Sequence, residues 1–204
     1  MLNVVTWIRP FSKSTLLLAS AAIVAVLTGC GPPWRVIKQA NPNPMMGQKN
    51  FVVDNIHFEN LHVGKKTVQE YLAGKEQKTQ DSFQADLLDG NKIFQGSMIE
   101  RSGALAVSMN TAPQPGAFFV KPTVEHYEPG NFNGFVNIPT TVNMKVEILN
   151  DQGAALDEIT IVWNEAATLY NPASGTRFRQ SVKQLGYLAS RYLAERTGLA
   201  PAKK

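Results

Sequence analysis

The sequence holds a single cysteine, Cys30, which excludes a disulfide framework or a four-thiolate metal site within one chain. Histidine is almost as scarce. His57, His62 and His126 are the three present, and none sits in an H-x-H or H-E-x-x-H pattern, so zinc-ligand spacing is absent. There is no G-x-S-x-G elbow, no phosphate-cradling glycine loop and no dinucleotide fingerprint. Surplus charge is small: the formal +4 drops by two once residues 1–29, which carry Arg9 and Lys13 and no acid, are set aside. A nucleic-acid binder normally shows a much denser basic surface. Neither an internal repeat nor a low-complexity tract is visible. What remains, 44% apolar and 18% charged residues, is globular composition with room for one domain after the N-terminal segment.

That N-terminal segment has the order of an export signal. Arg9 and Lys13 precede an uncharged, mostly apolar run of thirteen, residues 15–27, and small residues follow. A membrane-spanning helix needs roughly 20 apolar residues, so the run is short for a permanent span. Leu27-Thr28-Gly29-Cys30 resembles the lipobox of bacterial lipoproteins. The resemblance implies cleavage before Cys30, a diacylglyceryl thioether on its sulfur and acylation of the new amine. Small Thr28 and Gly29 suit entry into an intramembrane peptidase. Several acyl chains, at ~0.8 kcal/mol per buried methylene, hold far better than a single myristoyl group. By that family's sorting rule, Gly31 in place of Asp directs the protein to the outer membrane, facing the periplasm, or to the cell membrane of a single-membrane source.

Residues 30–49 contain Gly31-Pro32-Pro33 and Asn41-Pro42-Asn43-Pro44 with no clear apolar period. Proline fixes φ and disfavours helix at the preceding residue, so an extended tether of about seventeen residues is expected, reaching up to ~50 Å. Trp34 and Arg35 would then rest at the membrane interface or in solvent.

Residues 50–198 read as a single domain, and 199–204 as a short basic tail. Residues 50–58 are β-branched and aromatic, a strand; 67–72 and 79–88 are helix-like, with Gly90 placed to stop the second helix. Residues 105–109 and 117–127 are strand candidates around a loop marked by Pro113, Pro115 and Gly116, and 128–131 is a turn signal. Residues 141–149 and 156–166 alternate apolar with polar on either side of Asn150-Asp151-Gln152-Gly153, which predicts an antiparallel hairpin with one buried face. Phe178, Val182, Leu185, Ala189, Tyr192 and Leu193 form the apolar stripe of a helix over 176–196, with Gly198 as its stop. The expected class is α+β: a mostly antiparallel sheet, helices on one face, and a closing C-terminal amphipathic helix.

This order of elements resembles, without a diagnostic motif, small envelope lipoproteins, the curli-secretion lipoprotein and the N-terminal domain of the translocation protein TolB. The points of likeness are a strand near Phe51, a helix leading into Asn91-Lys92-Ile93-Phe94, the hairpin and the closing helix. No pair of membrane-spanning hairpins is evident, so the resemblance does not extend to pore formation.

Two surfaces are candidates for partner binding. Seven basic residues fall between 176 and 204 against one acid, Glu195; Lys183 and Arg191 flank Tyr187 at four-residue spacing on the polar half of the helix. An exposed aromatic between cations suits an anionic or protein surface, with a plain solvated face as the alternative. Phe132, Phe135, Val136 and Ile138 lie in the turn-rich stretch 129–139 and must either tuck under the sheet or remain available. His126 and Glu128 could share a strand face as a general-base pair, although such pairs are more often surface contacts. The expectation is therefore a non-catalytic protein without metal or cofactor. It would be held to a membrane by acyl chains and act as a structural or accessory subunit of an envelope assembly. Its partner would be another envelope protein and not nucleic acid. The alternative is a carrier of lipid or another apolar ligand between sheet and closing helix.

Overall fold

The structure is a computed structural model that describes residues 32–200; the apolar run, Leu27, Thr28, Gly29, Cys30, Lys203 and Lys204 lie outside the described residues. The alternating hairpin is the centre of the sheet. Strand β9 (Thr140–Leu149) pairs antiparallel with β10 (Ala155–Glu165), opposing Met144 to Ile161 and Val146 to Ile159. Val142, Met144, Val146 and Ile148 are at most 1% exposed, while Thr141, Asn143, Lys145 and Glu147 are half-buried on the other face. The turn is held by Asn150, whose Oδ1 accepts from the amides of Gln152 and Ala154, and by Gly153 at a φ of 81°.

Strand β6 (Phe118–Glu128) runs antiparallel on the far side of β9. Beyond it β2 (Asn50–Val53) and then β5 (Ala106–Met109) add in parallel. At the opposite edge β1 (Trp34–Lys38) pairs antiparallel with β10, giving the order β1-β10-β9-β6-β2-β5. Short β3 (His62–Val63) joins β6 and β4 (Lys66–Thr67), and β7 (Asn131–Phe132) with β8 (Asn137–Ile138) forms a separate two-stranded ribbon. Among the described residues the helices are α1 (Val68–Leu72), capped by a Thr67–Glu70 box, α2 (Gln77–Glu100) and α3 (Ser174–Thr197). The α3 stripe lies on β9 and β10 with Phe178, Val182, Leu185, Ala189, Tyr192 and Leu193 at most 1% exposed, and Gly198 closes the helix in the left-handed region. Phe178, Val182, Leu185 and Leu193 each gain about 1.5–3 kcal/mol on burial. The fold is α+β, a mostly antiparallel sheet with a C-terminal helix packed on it.

Two expectations are corrected. Gly90 does not end its helix; α2 runs straight through it to Glu100. The glycine serves close approach instead: a Cβ there would stand 2.7 Å from Cε1 of Phe178, and one at Gly186 would stand 2.7 Å from the Phe94 carbonyl oxygen. A glycine inside a helix costs about 1 kcal/mol relative to alanine, which the α2–α3 contact offsets.

The second correction concerns the tether. Residues 34–48 are part of the domain: Trp34 is 7% exposed and Met45 fully buried. The Trp34 ring meets Tyr192 edge-on at 5.6 Å between centroids, and Gly47 N–H donates to the Thr197 carbonyl at 2.9 Å. The prolines that argue against helix are compatible with an edge strand followed by a turn-rich return, and the Asn41-Pro42 bond is cis. At the heart of this segment Asp157 is fully buried. It accepts from the Ala40 amide at 2.8 Å, from Arg196 Nε at 2.6 Å and from the Tyr192 hydroxyl, while Arg196 Nη2 also donates to the Ala40 carbonyl. Burial and then this hydrogen bond to the carboxylate push the Tyr192 phenol well above its ordinary pKa.

Candidate functional site

The most distinctive surface grows from one buried cation. Arg177, in the first turn of α3, is 1% exposed. Its Nε donates to Thr140 Oγ1 at 2.8 Å, Nη2 to the Pro129 carbonyl at 2.8 Å, and Nη1 to the carbonyls of Asn171 (3.0 Å) and Pro172. Thr140 Oγ1 in turn donates to the same Pro129 carbonyl at 2.7 Å. A planar fork with five N–H donors can gather separate backbone segments in this way, and a lysine could not. The base of the 129–139 ribbon and the base of the 168–172 turn are thereby rooted on one guanidinium.

Both segments carry apolar side chains into solvent. In the ribbon, Asn133 Oδ1 accepts from the amides of Phe135 and Val136, and Gly134 takes a φ of 85°, so the tip is a closed turn. Phe135 is 99% exposed at that tip, with Val136 and Ile138 exposed beside it, whereas Phe132 is half-buried. Gly130, at a φ of 67°, is required at the base, where a Cβ would lie 2.3 Å from the Ile138 carbonyl oxygen. In the second segment the Asn171 amide closes on the Thr168 carbonyl and leaves Leu169 74% and Tyr170 95% exposed. Sequence reasoning singled out Phe132 and Phe135 but passed over Leu169 and Tyr170. The only available signal was an apolar pair directly ahead of Asn171-Pro172, and nothing in the chain order links it to the ribbon.

The helix-face candidates separate. Tyr187 is half-buried; its hydroxyl donates to Glu100 at 3.1 Å, and Arg101 and Lys183 stand over its ring at 4.7 and 5.6 Å. The end of α2 lies along this side of α3, so the ring that sequence alone leaves exposed serves helix packing. Arg191 turns away to the Trp34 ring, 5.7 Å from its centroid. Arg179 pairs with Asp86 and Arg196 with Asp157. Within the described part of the basic run, Arg177, Arg179 and Arg196 are engaged inside the fold, and Lys183 and Arg191 remain exposed.

His62 is paired with His126 across the parallel β3–β6 contact, and His57 bridges to Thr123. His57 Nε2 faces Asp54 Oδ2 at 2.8 Å and Nδ1 faces Glu59 Oε1 at 3.1 Å. Among the described residues no group of three or more His, Cys, Asp or Glu side chains could hold a metal ion. Burial works against charging the His57 ring, but the hydrogen bonds to Asp54 and Glu59 and their charges outweigh it and raise its pKa. A raised folded pKa means that the stabilisation is complete below about pH 6.5 and is lost as pH climbs through the folded value. Urea unfolding between pH 5.5 and 8.5 should show a decline in stability in the wild type that His57→Gln lacks. Parallel pH profiles for the two proteins would refute this.

The sheet–α3 interface is filled by the buried stripe. A cleft of about 270 Å³ at its margin is lined by Lys78, Thr79, Ser82 and Asp86 as well as by Phe83 and Phe178.

Comparisons with known proteins add little. No family model matches the chain, and no curated protein matches it. Among solved structures it is similar to the PelC dodecamer of Paraburkholderia phytofirmans, at 12% identity, covering 76% of this chain and 96% of that one, with a TM-score of 0.44. A Helicobacter pylori homologue of a neuraminyllactose-binding hemagglutinin is 8% identical, with 78% of this chain and 87% of that one covered and a TM-score of 0.34. At these scores neither likeness carries an argument. Among the described residues no helix is long and apolar enough to cross a membrane.

Proposed function

We propose that this chain is a non-catalytic envelope protein, anchored through acyl chains on Cys30 to the outer membrane on its periplasmic side. It serves as an accessory subunit that offers the Arg177-rooted apolar end to a protein partner. The observation that carries this reading is the display of Phe135, Leu169 and Tyr170 in solvent on two segments tied to one buried guanidinium. Each such side chain gains about 1.5–3 kcal/mol when fully buried by a partner, and a pre-ordered base lowers the ordering cost of binding. Confinement to a membrane surface raises the effective concentration of a partner on the same surface, so a contact of modest area suffices. A carrier of apolar ligands would need space between sheet and α3, which the buried stripe fills.

Two measurements test the reading. Clickable palmitate should label the wild type and not Cys30→Ala; persistent labelling of the variant refutes the anchor. A photo-crosslinker at position 135 or 170 should give one discrete adduct in intact cells, and the same probe at Glu158 on the outer sheet face should give none. Adduct formation that is equal at all three positions refutes the contact surface.

A further inference from the structure

The tip of the 129–139 ribbon carries covalent chemistry of its own. Asn133 and Gly134 are adjacent and exposed there. Asn133 Oδ1 accepts from the amides of Phe135 at 3.0 Å and Val136 at 2.7 Å. Gly134 takes a φ of 85°, and a Cβ on it would meet nothing within 4 Å. We infer that Asn133-Gly134 is a modification site, where the chain deamidates itself with water as the co-reactant. The Gly134 nitrogen attacks Cγ of Asn133, its proton leaves with the side-chain nitrogen as ammonia, and a succinimide ring closes. Water then opens either ring carbonyl, which leaves aspartate or isoaspartate at position 133.

The fold assists this step in two ways. Negative charge develops on Oδ1 during the attack, where two amide donors already point, as in an oxyanion hole. The same bonds fold the carboxamide back over its own main chain, so less freedom is lost on ring closure. Two other sites lack one requirement each. Asn150 Oδ1 also accepts from two amides, those of Gln152 and Ala154, but the side chain of Asp151 stands beside the nitrogen that would attack. Asp89-Gly90 has the glycine but lies inside α2, where the main chain is held in helical hydrogen bonds. The two products differ in effect. Aspartate keeps an oxygen that accepts from both amides. Isoaspartate routes the main chain through the former side chain and lengthens it by a methylene, which opens the closed turn. Resting on the contact-surface reading above, isoaspartate at position 133 withdraws Phe135 from the partner.

The full chain, incubated in mildly alkaline buffer and then digested, is read by peptide mass and by isoaspartate methyltransferase labelling. Conversion at Asn133 should outpace that at Asn150 by about tenfold or more, and the native protein should convert at least as fast as the urea-unfolded chain. Equal rates at the two asparagines overturn the site. A faster rate in the unfolded chain overturns the role of the two amides. In cells carrying the position-170 crosslinker, the adduct should hold several-fold less isoaspartate at position 133 than the uncrosslinked protein. Equal content overturns the effect on the contact. Absence of any adduct is a separate failure, of the contact surface itself.

Discussion

Replacing Arg177 by methionine should lower the unfolding free energy by about 3–5 kcal/mol, because several neutral buried acceptors lose their donor at once. The side chain is 1% exposed and satisfies carbonyls of Pro129, Asn171 and Pro172 together with the Thr140 hydroxyl. Methionine fills similar volume but donates nothing, and each buried acceptor left unmet costs about 1–3 kcal/mol. Arg177→Lys keeps the charge without the fork and should recover only part of the loss. The loss should also be local before it is global. Limited proteolysis ought to cut first within the 131–138 ribbon or the 168–171 turn, and the position-135 crosslink should weaken under conditions where the variant is still folded. A urea midpoint within error of wild type would mean that the two segments hold themselves in place, and the contact surface would lose its common root.

Asp157→Ala should cost a similar 3–5 kcal/mol by the opposite route, leaving cations and donors rather than acceptors unpaired. Its carboxylate, fully buried, holds the Arg196 guanidinium, the Tyr192 hydroxyl and the Ala40 amide. Arg196→Met in the same background should recover part of that cost, because the uncompensated guanidinium is then gone. A double-mutant cycle should return a coupling of about 0.5–3 kcal/mol. Hydrogen exchange gives the sharper readout. Amides of β1 should lose protection ahead of those in β9 and β10, since Ala40 is the return point of the N-terminal segment. Additive effects, or equal loss of protection across the sheet, would show that this segment is not fastened through Asp157.

These two sites also mark where reading the sequence stops. The hairpin over β9 and β10 was legible because a period of two, with Asn and Gly at the turn, admits one structure when one face is buried. The closing helix was legible because its stripe persists over about four turns and Gly198 follows as a stop. In 30–49 the prolines were read correctly as breaking helix, but the extended segment was read as a tether where 34–38 is an edge strand of the domain. An edge strand needs few consecutive residues, and its value lies in partners such as Ile161 and Tyr192, more than a hundred positions away. Gly90 failed for a related reason. A glycine that ends a helix and one that admits a neighbouring ring look alike until Phe178 is placed against it.

The candidate site divides along the same line. Phe132 and Phe135 stood out as apolar residues in a turn-rich stretch, but whether each would be covered depended on what lay beside the ribbon. Lys183, Tyr187 and Arg191 shared a helix face, yet the end of α2 claimed Tyr187 and Trp34 drew Arg191 aside. Arg177 counted only as one of seven basic residues between 176 and 204.

By itself the sequence determined the alternation of the central strands, the apolar stripe of α3, the scarcity of metal ligands and the lipobox-like tetrapeptide, because local spacing and residue chemistry decide each of these. Only the tertiary structure decided that residues 34–48 belong to the domain, that Arg177 is its buried hub, and that Leu169 and Tyr170 share that hub with the Phe135 ribbon. Those outcomes depend on contacts between distant segments, where burial and the pairing of donors with acceptors, and not the residue's own preference, set the lower free energy.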